Sequence, residues 1–428
     1  MNVTDIDDKT IRDSQKVWQD LASFTEFYTK VFLEDIERLH IRRADMIAPI
    51  STLVDEMKMM IQGLLDKGYA YLADDGSIYY SVAKFEHYWQ LAHIDMKGMK
   101  ASVRINNDEY EKEQVADFAL WKWYDAKTDG PNRWEATFVV DGKSIAVPWR
   151  PWWHIECSAC NMKFFGEQID IHLGGIDHLF PHHENEIAQT ESYTGKEFSK
   201  YWMHCEHLLV DNKKMAKSAG NFYTLRDIVE HIQKWTENVS ESLIYRGFRL
   251  MTYQSLYRES FNFTFDRLQS AIEAVRSLDA MMRRLARYTG TENAMRKELS
   301  AEIDTFMQAF VTALEDDFAS PVVMKTVFDF VSFVNRSIDA WMLSKVEKKS
   351  LIDLMRSWDS VIALFDFTLL DLDDTIPEAV KQLAGDRYGA KKQKDWQKAD
   401  SIRKEIERLG WNMIDEKEWW SLEKKAWM

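Results

Sequence analysis

The densest group of residues able to do chemistry is His182-His183-Glu184-Asn185-Glu186. Pro181 suits the first turn of a helix, and a helix that starts there places His182 and Glu186 four residues apart on one face. Upstream, Trp153-His154-Ile155-Glu156-Cys157 ends in a thiol. A thiolate, an imidazole and a carboxylate together suit zinc and leave a fourth position for another ligand. The spacing fits equally well a helix start whose histidines only cap the helix and pair with carboxylates.

A glycine pair follows a short strand pattern in Asp170-Ile171-His172-Leu173-Gly174-Gly175-Ile176-Asp177. Gly174 and Gly175 would let the backbone approach a ligand closely, as nucleotide-binding sites require. His172 and Asp177 would then be polar groups at the end of the strand. A tight turn without a ligand is the commoner explanation of such a pair.

Two lysines, Lys214 and Lys217, lie three residues apart in a segment that also contains Gly220. Lysines on such a loop can stabilise the negative charge that builds on a leaving pyrophosphate, and electrostatic stabilisation of this kind often contributes most to catalysis. An ordinary solvated basic loop is the alternative.

The elements that must position these groups follow an α/β pattern. Residues 152–222 read as strand, loop and helix in repetition, and ligands in such sheets bind at the carboxyl ends of the strands. Nearer the N-terminus, Thr4 is the predicted cap of a helix with no strand before it. Helical patterns cover 9–44 and 51–67, and residues 69–80 read as strand, turn, strand.

The C-terminal half is predicted to be mainly helical. Helical patterns cover 265–286, 300–316, 321–344 and 349–366, and Thr264 is the predicted cap of the first. A last helix should turn five side chains inward and end at Gly410: Trp396, Ala399, Ile402, Ile406 and Leu409.

Composition limits the class of protein. The 428 residues are 46% hydrophobic and 29% charged, which is typical of a folded chain of two to four domains. No apolar run is long enough to predict a membrane span. Three cysteines are too few for a disulfide framework and favour a reducing, cytoplasmic location. The net charge of -15 argues against a chain wrapped uniformly around nucleic acid, although a local basic surface remains compatible with it.

Taken in order, these segments strongly resemble cysteinyl-tRNA synthetases. The resemblance is carried by Asn2-Val3-Thr4-Asp5-Ile6-Asp7-Asp8-Lys9, by Trp153-His154-Ile155-Glu156-Cys157-Ser158 and, most specifically, by Phe180-Pro181-His182-His183-Glu184-Asn185-Glu186-Ile187-Ala188-Gln189. Residues 214–218 are similar to the KMSKS signature of class I synthetases, with Ala216 in place of its first serine. Weaker similarity extends over nearly the whole chain.

The resemblance implies a role for each candidate residue. Cys157, His182 and Glu186 correspond to three of four ligands of a single Zn²⁺ that binds the thiolate of the substrate. Trp153 corresponds to a tryptophan beside bound cysteine, and His172 to an active-site histidine. The remaining residues correspond to the ATP site: Gly174, Gly175 and Asp177 near the nucleotide, and Lys214 and Lys217 at the phosphates.

The implied activity is that of a cysteine–tRNA ligase. Cysteine reacts with ATP, accompanied by Mg²⁺, to give cysteinyl-adenylate, and the cysteinyl group then passes to tRNA(Cys). Zinc would select cysteine over serine because it favours sulfur over a hydroxyl oxygen. The expected protein is a cytoplasmic monomer whose partners are tRNA(Cys), cysteine and ATP.

The implied architecture is an α/β Rossmann-like class I catalytic domain, N-terminally truncated, followed by a helical bundle and a small C-terminal domain. The expected limits are 1–75 with 152–221 for the catalytic domain, 76–151 for a connective insertion, 222–260 for a stem-contact region, 261–375 for a helical tRNA-binding domain and 376–428 for an anticodon-binding unit. Six basic residues give the last unit a locally basic face: Lys391, Lys392, Lys394, Lys398, Arg403 and Lys404.

The sequence departs from the family pattern in several places. It contains neither the Cys-Gly-Pro segment nor the His-Ile-Gly-His signature, and with them the fourth zinc ligand is absent. We expect that the start was assigned too far downstream, and the alternative is a truncated, inactive paralogue that binds tRNA or zinc. Trp149 and Trp152 stand where the family has glycines. Cys160, three residues after Cys157, is a hypothetical substitute ligand.

Overall fold

The computed structural model describes residues 1–93, 117–124, 129–216, 219–236, 239–288, 294–340, 343–371, 376–415 and 420–424. These residues divide into two compact units. The N-terminal unit comprises Met1–Leu208 with Tyr257–Phe261, and the C-terminal unit comprises Leu209–Leu256 with Asn262–Met428.

The N-terminal unit mixes helices and strands. Its helices of eight or more residues are Asp8–Lys16, Leu21–Arg38, Val54–Asp66, Trp153–Phe165 and Glu184–Thr194. Its strands are Asn2–Val3, Ala48–Pro49, Ala70–Leu72, Ile78–Tyr80, Phe118–Trp123, Trp134–Val140, Lys143–Pro151, Ile169–Gly175 and Ser199–Cys205.

Five of these strands form an antiparallel sheet. The order is Ala70–Leu72, Ile78–Tyr80, Phe118–Trp123, Lys143–Pro151, Trp134–Val140. Side chains alternate between the two faces of a strand, so one face of this sheet supplies buried residues such as Phe138 to the core. The predicted strand–turn–strand at residues 69–80 is confirmed. The sheet also crosses the predicted limit between residues 75 and 76.

One helix packs the sheet against the helices that carry the candidate site. Met57, Ile61 and Leu64 recur at helical spacing on Val54–Asp66 and are fully buried with Ile155 and Ala188. The Tyr80 hydroxyl donates to the backbone oxygen of Ala188 over 3.0 Å, which connects the sheet to Glu184–Thr194. The scaffold is therefore fixed by a continuous apolar core.

The first predicted helix begins later than expected. Asp7, and not Thr4, is the N-cap, since its carboxylate accepts the N–H of Lys9 over 2.7 Å. A short strand, Asn2–Val3, precedes the helix and pairs in parallel with Ala48–Pro49, so the expectation of no preceding strand is wrong. The helical pattern predicted over 9–44 contains two helices. Asp20 caps the second helix, Leu21–Arg38, because its carboxylate accepts the N–H of Ser23 over 2.9 Å.

The C-terminal unit is mainly helical. Its helices are Leu225–Trp235, Glu241–Thr252, Phe265–Arg287, Lys297–Glu315, Ser320–Asp339, Lys345–Ile362, Glu378–Lys392 and Trp396–Arg408. Leu208–Val210 is the central strand of a three-stranded sheet with Lys213–Lys214 and Phe261–Phe263, and Trp411–Asp415 pairs with Trp420–Lys424. Thr264 accepts the N–H of Arg267 over 3.1 Å, which confirms the predicted cap.

The last helix is only partly as predicted. Ala399 and Ile406 are buried, but Trp396 is 60% exposed and Leu409 is 42% exposed. Both exposed residues lie at the limits of the helix, where the Asp395 cap and the turn at Gly410 place them beyond its packed face. Within the described residues, we find no helix with the length and apolarity needed to span a bilayer.

Candidate metal centre

Two helices and one turn bring the three predicted zinc ligands together. Cys157 lies in the second turn of Trp153–Phe165, and Glu186 lies in the first turn of Glu184–Thr194. His182 belongs to the irregular turn Leu179–His183, which enters the second helix directly. The predicted i,i+4 relation of His182 and Glu186 is thus made by a turn followed by a helix rather than by one regular helix.

The ligand atoms of Cys157, His182 and Glu186 all lie within 4.8 Å of one another. His182 Nε2 is 3.5 Å from Glu186 Oε2. Glu186 is 0% exposed, and its Oε1 has no hydrogen-bond partner among the described residues. A buried carboxylate oxygen without a partner is costly. The sulfur, nitrogen and oxygen donors therefore fit a zinc ion, which would satisfy that oxygen.

A second histidine orients His182. His154 Nδ1 lies 2.8 Å from His182 Nδ1, which turns His182 Nε2 towards Glu186. Burial lowers the pKa of His182 well below its usual value and that of His154 to about 3. Both imidazoles are therefore neutral near pH 7, so one ring nitrogen donates and the other accepts. The Trp153 ring stacks on His182 with centroids 4.3 Å apart.

The Cys157 thiol has one polar neighbour that sequence analysis missed. Asn2 Nδ2 donates to Cys157 Sγ over 3.3 Å. Burial, followed by the charge of Glu186, raises the pKa of this thiol well above its usual value. A bound divalent cation would reverse that effect, because a coordinated thiol loses its proton. The asparagine side chain would then stabilise the thiolate.

His172 contacts the same carboxylate oxygen as His182. Its Nε2 is 2.9 Å from Glu186 Oε2, and it lies in the middle of Ile169–Gly175 rather than at the predicted strand end. Burial disfavours its charged form, but the neighbouring Glu186 carboxylate prevails and raises the pKa of His172. His183 Nε2 is 3.8 Å from Glu186 Oε2, so His172, His183 and Glu186 form a second compact group.

Comparison with known proteins decides the family. Residues 1–273 match the family model of the tRNA synthetases class I (C) catalytic domain. The chain is 39% identical over 420 residues to a protein named cysteine–tRNA ligase from Chlamydia pneumoniae, covering 97% of this chain and 84% of the relative. Proteins of the same name from Chlamydia muridarum and Protochlamydia amoebophila are each 37% identical, over 97% of this chain and 85% and 83% of theirs.

This chain belongs to the cysteine–tRNA ligase family. The predicted family and enzyme class, an aminoacyl-tRNA ligase, are thereby confirmed. The comparison also confirms a class I synthetase catalytic domain over residues 1–273, and the described chain beyond it is mainly helical.

Within this family member, the glycine pair ends a strand and does not form a turn of its own. Gly174 and Gly175 are the last residues of Ile169–Gly175, and Asp177 lies in the helical turn Ile176–His178 that follows. A Cβ on Gly174 would lie 2.6 Å from Cε1 of His183. This glycine is therefore required by the histidine that packs on it, whatever ligand the strand end binds.

Of the two lysines in the segment similar to KMSKS, Lys214 lies among the described residues and Lys217 does not. Lys214 ends the exposed strand Lys213–Lys214, and its backbone oxygen accepts from Asn221 Nδ2 over 3.1 Å. Asn221 Oδ1 also accepts the N–H of Ala216 over 2.9 Å, so this asparagine closes the loop. Lys217 lies outside the described residues, and its role remains a prediction.

The departures from the family pattern lie close to the candidate centre in sequence. Cys160 is buried in the apolar core with Ile155 and Ala159, and it belongs to neither group of metal-binding side chains found among the described residues. The Lys122 ammonium lies 4.2 Å from the centre of the Trp152 ring. The side chain of Trp149 lies outside the described residues.

Proposed function

We propose that this chain is a cysteine–tRNA ligase that binds one zinc ion at Cys157, His182 and Glu186 and uses it to select cysteine. The observation that carries the proposal is the convergence of those three donors around a buried carboxylate oxygen without a partner. The names of the relatives support the same substrate pair, cysteine and tRNA.

Zinc held there would supply an open coordination position that favours a thiolate over a hydroxyl. The chain's own residues would prepare that position. His154 fixes the His182 ring so that Nε2 faces inward, and Asn2 donates to the Cys157 sulfur. Trp153 stacks on the His182 imidazole and so helps to hold the ring in place.

The proposed reaction has two steps. A carboxylate oxygen of cysteine attacks the α-phosphorus of ATP, the bond to the β-phosphate oxygen breaks, and pyrophosphate leaves. A hydroxyl of the terminal adenosine of tRNA(Cys) then attacks the adenylate carbonyl carbon, loses its proton, and releases AMP. Lys214 and Lys217, with Mg²⁺, would stabilise the charge on the phosphates. Gly174, Gly175 and Asp177 would contact the nucleotide, and His172 would act at the amino-acid site.

The finer architecture is also part of the proposal. The catalytic domain would be Rossmann-like and formed by 1–75 and 152–221, with 76–151 as the insertion. Residues 222–260 would be the stem-contact region, residues 261–375 the helical tRNA-binding domain, and residues 376–428 the anticodon-binding unit. The enzyme would act as a cytoplasmic monomer.

Cysteine-dependent exchange of labelled pyrophosphate into ATP tests the first step, and transfer of labelled cysteine to tRNA(Cys) tests the second. We expect Lys217→Ala and Lys214→Ala to lower the exchange rate by roughly 10²- to 10³-fold, as removal of one charge-stabilising donor does elsewhere. Their zinc content should be unchanged, since neither residue is a metal ligand. Zinc binding without any exchange by the unsubstituted chain would favour the inactive paralogue instead.

A further inference from the structure

A short segment of the predicted insertion is fastened to the turn Leu179–His183 and to the start of the helix Glu184–Thr194, which carry the proposed zinc ligands His182 and Glu186. This segment, Tyr88–Ala92, is called the strap below. We propose that Glu184 is a positioning residue that holds the strap on this turn, and that the strap thereby sets the geometry of His182 and Glu186. The inference rests on the proposed function, because it concerns the same zinc ion.

Glu184 is 0% exposed, and among the described residues its carboxylate accepts hydrogen bonds from the backbone of the strap. Oε1 accepts the N–H groups of Leu91 over 2.8 Å and Ala92 over 2.7 Å, and Oε2 accepts that of Trp89 over 3.1 Å. Charge-assisted hydrogen bonds of this kind are stronger than neutral ones. Three of them reduce the cost of burying the carboxylate and hold the strap at three backbone N–H groups.

Two side chains of the strap contact residues near the ligands. The Trp89 ring stacks on Phe180 with centroids 4.9 Å apart and planes 26° apart. The Tyr88 hydroxyl donates to Asn185 Oδ1. Phe180 and Asn185 flank His182 in the chain, and Asn185 directly precedes Glu186. The strap thus contacts residues next to both ligands.

The backbone on both sides of this contact needs such support. Phe180 interrupts the turn Leu179–His183 with φ -138° and ψ 134°, so helical hydrogen bonds alone do not hold His182 in place. Trp89 has φ +86°, a conformation that side-chain-bearing residues rarely adopt and that persists only where surrounding contacts enforce it. Metal affinity depends on such outer contacts, whose loss typically weakens binding by about 10- to 100-fold.

The test compares zinc affinity, measured by competition with a chromogenic chelator, in full-length variants. We expect Glu184→Ala to weaken zinc binding by about 10- to 100-fold and to raise amide hydrogen exchange in the strap. Glu347→Ala is the matched control: Glu347 is also a buried carboxylate that accepts backbone N–H groups, from Ser344 over 2.8 Å and Arg296 over 2.9 Å, but lies in the C-terminal unit. It should lose stability and keep its zinc affinity.

Trp89→Ala is a second variant, which removes the stack on Phe180 without leaving three partly buried N–H groups unpaired. We expect this variant to weaken zinc binding too, so the inference stays testable if Glu184→Ala does not fold. Unchanged zinc affinity in the folded variants, together with faster exchange in the strap, would overturn the positioning role. Failure of the unsubstituted chain to bind zinc would instead overturn the proposed function.

Discussion

The carboxylate of Glu186 lies where three imidazoles and one thiol approach one another. Its Oε2 is 2.9 Å from His172 Nε2 and 3.5 Å from His182 Nε2, while Oε1 has no hydrogen-bond partner among the described residues. One oxygen thus contacts neighbouring histidines, and the other would bind the cation under the proposed zinc assignment. A residue with the same shape and no charge should therefore separate the two roles.

We expect Glu186→Gln to lose zinc under conditions in which the unsubstituted chain keeps it. The amide has almost the same volume, but it is neutral and one of its two polar atoms is a donor. The fall in affinity should exceed about 100-fold, because loss of an outer contact alone costs about 10- to 100-fold. Zinc content after dialysis against a chelator measures it. Glu191→Gln, which changes a carboxylate on the same helix that accepts the N–H of Phe198 over 3.0 Å, should retain zinc; equal retention by both variants would contradict the assignment.

The candidate ligands were predictable at this scale, and their supporting residues were not. Cys157, His182 and Glu186 are identified by residue type and short spacing. His154 lies in a segment that the sequence analysis singled out, but its contact with His182 depends on how two distant helices pack. Asn2 reaches Cys157 from 155 positions away, and no local pattern encodes such a distance.

At the scale of elements, caps and periodicity were informative where one interpretation dominated. Thr264 caps Phe265–Arg287 as predicted, since its side chain accepts the N–H of Arg267 over 3.1 Å. Asp7, and not Thr4, caps the first helix, since several carboxylates near its start could serve as the cap and the chain before it pairs as a strand. Local sequence patterns do not predict such long-range strand pairing.

Two helical glycines of the C-terminal unit should respond in opposite ways to alanine. A Cβ on Gly247 would lie 2.6 Å from Cγ1 and 3.2 Å from Cα of Ile272, whereas a Cβ on Gly385 would meet nothing within 4 Å. We expect Gly247→Ala to destabilise the protein by about 1–3 kcal/mol through overpacking. Gly385→Ala should stabilise its helix by about 0.5–1 kcal/mol. Thermal unfolding of both variants tests this, and a stabilised Gly247→Ala would show that the two helices separate easily.

At the scale of the molecule, resemblance to a known family predicted more than local sequence patterns did. The order of the signature segments along the chain predicted the family, and the match over residues 1–273 confirmed it. The predicted domain limits stay a prediction. Ala70–Leu72 and Ile78–Tyr80 belong to one sheet although the predicted limit falls between them, and the compact units divide near residue 208. Sheet partners come from both sides of such limits, so composition does not mark them.

The division into two units leads to a prediction about where zinc acts. The three proposed ligands all belong to the N-terminal unit, on Trp153–Phe165, the turn before Glu184–Thr194 and that helix itself. A ligand that binds only the folded state stabilises it by RT ln(1 + [L]/Kd), which is about 4 kcal/mol at a free concentration of about 1,000 Kd. Removal of zinc should therefore speed amide hydrogen exchange in those two helices.

Hydrogen exchange measured by mass spectrometry, before and after zinc removal, gives the comparison within one molecule. Peptides from Trp153–Phe165 and Glu184–Thr194 should lose protection, and peptides from Phe265–Arg287 serve as the internal reference because that helix carries none of the ligands. Returning zinc should restore the protection in the unsubstituted chain but not in Cys157→Ala, since that variant lacks the sulfur donor. Equal loss in the reference helix would mean that zinc stabilises the whole fold, and no loss in either site helix would mean that the metal binds elsewhere.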